Sequence, residues 1–251
     1  MFPSASQILA ETAHRPWSPP KRPWVMGQSW YQLLFAHWRV APEAVASLLP
    51  APLELDTYDD SAWIGVVPFV MRNVHPRALY SLSPFPELNV RTYVRYDGKP
   101  GVWFLSLDAA NRLVVSGARR AFHLPYFHAH MDCFTEGGWI QYRSQRDGSD
   151  ARFEGCYRPV SPVFRAESGS LDEWLTERYC LYSVDPSGRL YRCEVHHRPW
   201  QLQRAEAQIT VNTMVEALPL PDEPPILHYS DRMDVVTWYL ERLDGARPRA
   251  L

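Results

Sequence analysis

The sequence lacks the features that mark several common classes of protein. Its longest apolar run, Trp63 to Met71, is interrupted by Pro68 and falls well short of the roughly 20 residues that a membrane-spanning helix needs. The first residues contain Glu11 and several prolines in place of the basic and apolar segments of a signal peptide. We therefore expect a cytoplasmic protein that has no membrane partner.

Cysteine and lysine are both scarce. The 4 cysteines form no CxxC pair, which argues against a zinc knuckle or a thioredoxin-like redox motif. Only Lys21 and Lys99 are lysine among the 26 Lys and Arg residues, and the formal net charge is −2. Such a chain lacks the one-sided positive field that drives phosphate binding, so we expect no nucleic-acid partner.

Sequence motifs of three large enzyme classes are also missing. The chain has no G-x-G-x-x-G, no G-x-x-x-x-G-K-[ST] and no G-x-S-x-G sequence. Rossmann, P-loop and α/β-hydrolase chemistry therefore lack support. We expect no cofactor.

The composition instead favours a β-rich fold. The chain has 10 Trp, 13 Tyr and 46% hydrophobic residues, and its 23 prolines argue against long helices. No linker or repeat interrupts it. We predict an α+β fold, mainly antiparallel β, with a proline-rich arm over residues 1–25 and a single domain over residues 26–245.

Turn residues divide much of the chain into hairpins. Asp97-Gly98, Asp147-Gly148 and Asp185-Pro186-Ser187-Gly188 suit tight turns, and they predict strand pairs 87–96 with 102–108, 139–146 with 151–158, and 178–184 with 189–197. Further strands are predicted at 28–40, 203–212 and 235–242. Helices are predicted at 4–11, 42–49 and 109–121, the last with Asp108 as its cap. A fourth helix is predicted from the capping box at Ser170 to about Glu177.

Several segments resemble one family of bacterial proteins over roughly residues 23 to 240. These are Trp30–Trp38, Trp63–Phe69, Phe85–Val94, Leu124–Tyr126, Thr176–Tyr182 and His197–Trp200. The chain is similar in these segments to the YqjF-like family of uncharacterised proteins. That family is grouped with acetoacetate decarboxylase-like folds, so the resemblance implies a conical antiparallel β-barrel or bent sheet with a few flanking helices and an internal pocket.

The resemblance carries over the fold more readily than the chemistry. Acetoacetate decarboxylase forms a Schiff base through a lysine downstream of a glutamate. The comparable stretch of this chain offers Glu87, Asn89 and Arg91 and no lysine. Because an arginine stays protonated and forms no imine, the chain is not expected to be a Schiff-base decarboxylase.

One face of the strand around residue 89 is wholly polar. Side chains alternate across a strand, so Glu87, Asn89, Arg91 and Tyr93 share a face. In one interpretation this face is solvated. In the family's barrel it points inward, where Glu87 and Arg91 either form a structural ion network or, with Tyr126, contact a carboxylate-containing ligand.

Two further groups of polar residues are weaker candidates. Glu177 and Arg178 form a secondary cluster, which is also explained by charges at a helix end and at the barrel rim. His128 and His130 share a strand face with a spacing that occurs in metal sites, but a third ligand from Glu194 or His196 is not evident. We predict no metal site.

Three functions are compatible with these patterns. The first is binding of a small polar or carboxylate-containing ligand in the barrel. The second is a lysine-independent lyase, hydratase or isomerase that uses Glu87 as an acid or base and Arg91 as a clamp. The third is a structural or assembly role as a homo-oligomer, in which Trp17, Trp24 and Trp30 would pack on a second subunit. The sequence leaves open whether the chain is an enzyme.

Overall fold

The structure, a computed structural model, describes residues 5–77, 82, 84–215, 218 and 220–243. The helices are α1 (Ala5–Leu9), α2 (Pro42–Ala46), α3 (Arg112–Phe122) and α4 (Leu171–Thr176). The strands are β1 (Met26–Val40), β2 (Glu54–Leu55), β3 (Ala62–Pro76), β4 (Phe85–Tyr96), β5 (Lys99–Ala109), β6 (Tyr126–Glu136), β7 (Trp139–Arg146), β8 (Arg152–Pro159), β9 (Cys180–Val184), β10 (Leu190–His197), β11 (Gln203–Asn212), β12 (Ile226–Thr237) and β13 (Glu241–Arg242). Within the described ranges, no helix is long and apolar enough to cross a membrane.

Nine strands close into a barrel. Their order is β1, β3, β4, β5, β6, β7, β8, β11 and β12, and β12 pairs again with β1. All these neighbours are antiparallel except β5 and β6, which are parallel and are joined through α3. The predicted mainly antiparallel barrel with few helices is confirmed.

Two more strands, β9 and β10, close a second ring of strands with part of the nine-strand barrel. β9 pairs with β5 over a short parallel stretch, β10 pairs with β9, and β10 then pairs with β12. The second ring therefore contains β9 and β10 together with β5, β4, β3, β1 and β12. The last five strands form a wall that the two rings share.

The shared wall is buried on both faces. In β4, Leu88 and Val90 pack in the core of the nine-strand barrel, whereas Phe85 belongs to the core of the second ring. Because side chains alternate along a strand, Glu87 and Arg91 face the second ring as well. The polar face of β4 thus points inward.

The hairpin predictions hold, while two local predictions are wrong. α3 begins at residue 112, and its cap is Asn111, whose side chain accepts from the backbone N–H groups of Leu113 and Val114. Asp108 lies within β5 instead, where its carboxylate accepts from Arg146 Nε at 3.0 Å. The last long strand runs over 226–237 and not 235–242, since β13 is a separate short strand.

The N-terminal arm packs on the barrel through a buried carboxylate. Glu194 of β10 accepts from Arg15 Nη2 at 3.0 Å and from Trp17 Nε1 at 2.8 Å, and Ile8 and Trp24 pack beside β12. These arm residues therefore contact their own chain. The predicted helix start at Ser4 and domain end at residue 245 lie outside the described residues.

The close pairing of β8 and β11 gives a test of the nine-strand barrel. A Cβ at Gly155 would lie 2.8 Å from the backbone oxygen of Gln208, whereas a Cβ at Gly117 would meet nothing within 4 Å. We expect Gly155→Ala to lower the free energy of unfolding by about 1–3 kcal/mol, because backbone atoms must shift. Gly117→Ala, the control, should raise it by up to about 1 kcal/mol. Urea denaturation measures both, and equal stability of Gly155→Ala and the parent would contradict this packing.

Candidate functional site

A cavity of about 380 Å³ occupies the interior of the second ring. Its walls come from the shared wall, from β9 and β10, and from α3, which covers the side where β5 is not paired with β9. Most of the lining is apolar or aromatic, and includes Phe35, Phe69, Met71, Phe85, Leu107 and Trp200. A mostly apolar cavity with a few inward polar groups is typical of a small-molecule site.

An irregularity in β1 directs aromatic side chains into this cavity. Along β1, Met26, Gln28 and Trp30 line the cavity, and Gln32 then adopts a positive φ of 52° at a shift in the register with β3. After this bulge the alternation of side chains along β1 shifts by one residue, so that Leu33 and Phe35 line the cavity.

Glu87 is the buried acid of the cavity. Its residue is 1% exposed, Oε1 accepts from the Tyr126 hydroxyl at 3.1 Å, and Oε2 has no partner among the described residues. Burial raises the pKa of Glu87 to about 8, the bond from Tyr126 opposes this rise, and the charge of Asp108 adds to it. Glu87 is therefore mainly a neutral carboxylic acid at pH 7.

Arg91 brings a buried positive charge to the same wall. Its Nη2 donates to the Leu175 carbonyl at 3.0 Å, and its Cζ lies 5.0 Å from the centre of the Phe35 ring. The facing residue on β3 is Gly65, where a Cβ would lie 3.0 Å from the His37 ring and 3.3 Å from Arg91 Cγ. The absent side chain therefore makes room for both His37 and Arg91.

No carboxylate among the described residues forms an ion pair with Arg91, and its Nε has no partner there. Glu87 lies four residues away, about 13 Å along the strand, and does not neutralise it. Burial, with the charge of Arg91 adding to it, lowers the pKa of nearby His37 well below its usual value. Arg91 is thus a desolvated cation without a protein counter-ion, which is costly unless an anion joins it.

Seven residues that line the cavity have unpaired polar atoms. Buried polar atoms nearly always have hydrogen-bond partners, so a group of exceptions requires an explanation. The described residues supply no partner for Glu87 Oε2, Asn89 Oδ1, Arg91 Nε, Arg178 Nη2, Trp30 Nε1, Trp200 Nε1 and Thr237 Oγ1. This group of unpaired atoms makes the cavity the candidate site.

The secondary cluster separates into two roles. Glu177 ends α4, and its carboxylate accepts from the Trp200 backbone N–H at 2.8 Å and from the Tyr179 hydroxyl. Arg178 lines the cavity and has a carboxylate partner, because Nη1 donates to Asp56 Oδ2 at 2.7 Å, while Asp56 Oδ1 also pairs with Arg95. Glu177 thus organises the helix end, whereas Arg178 belongs to the candidate site.

The two histidines predicted as weak metal ligands lie outside this cavity. His128 Nδ1 and His130 Nε2 lie 2.8 Å and 3.2 Å from the carboxylate of Asp147. Glu194 binds the arm instead of approaching them, and His196 Nε2 lies 3.0 Å from the Ile8 carbonyl. In the described part of the chain, no group of three or more His, Cys, Asp or Glu residues could hold a metal ion.

A larger groove of about 880 Å³ lies along the end of α3 and β5, and two of its arginines are engaged in other contacts. Arg119 Nε donates to the Tyr126 carbonyl, and Arg146 pairs with Asp108 at 2.9 Å. We therefore place the candidate site in the interior cavity.

Comparison with known proteins identifies the family. The model of the DUF2071 family, described as uncharacterised conserved proteins, matches residues 27–234. The chain belongs to this family. The uncharacterised protein YqjF of Bacillus subtilis (strain 168) is 48% identical over 231 residues, which cover 90% of this chain and 95% of YqjF.

Solved structures share the fold of this DUF2071 chain at low identity. An acetoacetate decarboxylase from Legionella pneumophila matches with a TM-score of 0.62 and 12% identity, over 93% of each chain. The enduracididine biosynthesis enzyme MppR, in complex with a condensation product of pyruvate and imidazole 4-carboxaldehyde, matches with a TM-score of 0.63 and 13% identity, over 93% of this chain and 96% of its own. The implied acetoacetate decarboxylase-like fold is confirmed, and at this identity the likeness concerns the fold alone.

Neither lysine of the DUF2071 chain lines the cavity. Lys99 Nζ forms an ion pair with Glu194 at 2.7 Å and lies 4.3 Å from the centre of the Trp17 ring. Lys21 is exposed in the arm. The cavity therefore contains no amine that forms a Schiff base.

Several cavity residues were not predicted from the sequence. Trp30, Phe35 and Trp200 belong to segments that carry the family resemblance, but nothing in a single sequence indicates that they meet. Alternation along β1 is the available signal, and the bulge at Gln32 interrupts it. Asp56, the partner of Arg178, lies in a short connection without a motif.

The acid Glu87 makes a pH-dependent prediction for stability. Its pKa is about 8 in the folded chain against an ordinary value of 4.5, so the folded state holds the extra proton between these values. The stability contributed by Glu87 should therefore fall as the pH rises from 4.5 to about 8, with a slope of up to about 1.4 kcal/mol per pH unit. Glu87→Gln stays neutral and removes this dependence.

We expect the stability of Glu87→Gln relative to the parent to increase across this pH range and to level off above it. Chemical denaturation of both proteins at a series of pH values measures the difference in their free energies of unfolding. The contributions of the other titrating groups largely cancel in this difference. A constant difference from pH 5 to pH 9 would show that Glu87 does not titrate in this way.

Proposed function

We propose that the cavity of this DUF2071 chain binds a small organic carboxylate. The observation that carries the proposal is the buried Arg91, whose positive charge has no counter-ion among the described residues. A carboxylate bound beside it would supply the missing charge and accept the unused Nε–H bond.

The neighbouring groups support the same ligand class. As a neutral acid, Glu87 donates a hydrogen bond and does not repel an anion, whereas an ionised Glu87 would do so. The indole N–H groups of Trp30 and Trp200 are further donors without partners among the described residues. A ligand with several oxygen atoms would satisfy these donors.

Covalent chemistry through a Schiff base is not part of this proposal. Lys21 and Lys99 both lie outside the cavity, and arginine forms no imine. The decarboxylase-like fold is thus proposed to retain a ligand cavity without the amine that acts in acetoacetate decarboxylase.

Arg91→Gln tests the proposal. We expect the parent protein to bind straight-chain monocarboxylates and not the matching amides, and Arg91→Gln to bind them at least about ten-fold more weakly, because a charge-assisted hydrogen bond is lost. Isothermal titration calorimetry measures the affinities. Arg39→Gln is the control, since Arg39 is exposed, lies outside the cavity and pairs with the exposed Asp59. Unchanged binding by Arg91→Gln would contradict the proposal.

A proton-transfer enzyme is the second candidate. The pKa of Glu87, raised to about 8 by burial, is close to neutral pH, where an acid or base transfers protons efficiently, and Tyr126 holds one of its oxygens. A lyase, hydratase or isomerase that uses Glu87 at a carbon next to a carbonyl or carboxylate would need no lysine.

Deuterium exchange tests this activity without knowledge of the product. We expect the protein in D₂O to catalyse exchange at the acidic C–H positions of 2-oxo and 3-oxo carboxylates, which proton NMR detects. Glu87→Gln should abolish the exchange while leaving carboxylate binding in place. Exchange that continues unchanged in Glu87→Gln would remove Glu87 from the role.

A further inference from the structure

Along β4, the lining of the cavity changes from charged to apolar. Arg91 is 8% exposed and lies beside the end of α4, where its Nη2 bonds the Leu175 carbonyl. Toward the start of β4 the lining becomes Phe85, and the exposed residues Leu82 (39%) and Leu113 (78%) mark the opening. From Phe85 to Arg91 the wall extends about 20 Å along the strand.

The polar and apolar parts of the lining are most clearly divided along β4. On this strand the unpaired polar atoms belong to Glu87, Asn89 and Arg91. On the side of β4 and α3, the lining toward the opening includes Phe85, Met71, Leu82 and Val114, which offer no polar side-chain atom, whereas Gln28 and the unpaired hydroxyl of Thr237 line the cavity from β1 and β12. A ligand with its charged group at one end would match the division along β4.

The cavity-facing side of α3 leaves space for such a ligand. Val114, Gly117, Ala118 and Ala121 line the cavity, and their helical spacing places them on one face. Gly117 and Ala121 are exposed, so they lie at the opening, and a Cβ at Gly117 would meet nothing within 4 Å. The helix therefore leaves space where the cavity opens.

Charge and volume limit the ligand further. Arg178 pairs with Asp56, so Arg91 is the one cavity guanidinium that lacks a carboxylate partner among the described residues. The cavity of about 380 Å³ has space for roughly a dozen water-sized groups at about 30 Å³ each. An acid of two or three carbons would leave more than half of it empty.

We infer that the ligand is an amphipathic monocarboxylate, with an oxygen-bearing head between Arg91 and Glu87 and an apolar tail that extends past Phe85 beneath α3. This inference rests on the proposed function and adds that the ligand has an apolar tail. The head supplies the anion and acceptor atoms, and the tail covers the apolar lining near the opening.

A chain-length series tests the tail. We expect the affinity for straight-chain carboxylates from acetate to decanoate to rise by up to about four-fold per methylene, the factor that corresponds to about 0.8 kcal/mol, until the tail reaches the opening. Arg91→Gln should weaken binding of all lengths by a similar factor. Gly117→Leu should reduce affinity for the long acids alone, because its side chain enters the tail space.

Matched variants separate the outcomes. Gly117→Ala is the control for the helix, and Ala121→Leu fills the same space from the next turn. Binding that is independent of chain length would overturn the tail and leave the proposed function standing, as would equal affinity of the parent and both filled variants for decanoate. Failure of every carboxylate to bind would overturn the proposed function itself.

Discussion

Burial of β4 on both faces is the constraint on which the rest of the structure depends. Leu88 and Val90 fix the strand in the core of the nine-strand barrel, and the alternation of side chains then leaves Glu87 and Arg91 in the second ring. The hydroxyl of Tyr142, within the nine-strand barrel, donates to the Glu87 carbonyl at 2.7 Å. The core of the nine-strand barrel therefore fixes the backbone of Glu87, whose side chain lies in the cavity of the second ring.

A cavity in this position carries an energetic cost. Arg91 is desolvated without a protein counter-ion, and Gly65 gives up a side chain to accommodate it. Phe35 covers the guanidinium, and the Leu175 carbonyl satisfies one of its nitrogens. The surrounding strands tolerate this cost because their own apolar side chains pack in two separate cores.

Local patterns in the sequence predicted the features that depend on neighbouring residues, namely tight turns and the alternation of side chains along a strand. The turns at Asp97-Gly98 and Asp147-Gly148 located hairpins, and alternation grouped Glu87, Asn89 and Arg91 on one face. The barrel itself came from the resemblance. Long-range contacts determined the rest: the bulge at Gln32 changes which side chains of β1 face the cavity. Likewise, Arg178 lines the cavity and pairs with the distant Asp56, whereas the adjacent Glu177 organises a helix end.

The two ionisable groups of β4 give the cavity its electrostatic character. The guanidinium of Arg91 has no carboxylate partner among the described residues, so it attracts anions. Glu87 is neutral below its pKa of about 8 and becomes an anion above it. The Glu87 and Arg91 side chains together are therefore cationic near neutral pH and neutral in alkaline solution. A lysine near Arg91 would add a second titrating group. In its absence, the combined charge of the Glu87 and Arg91 side chains depends on the protonation of Glu87.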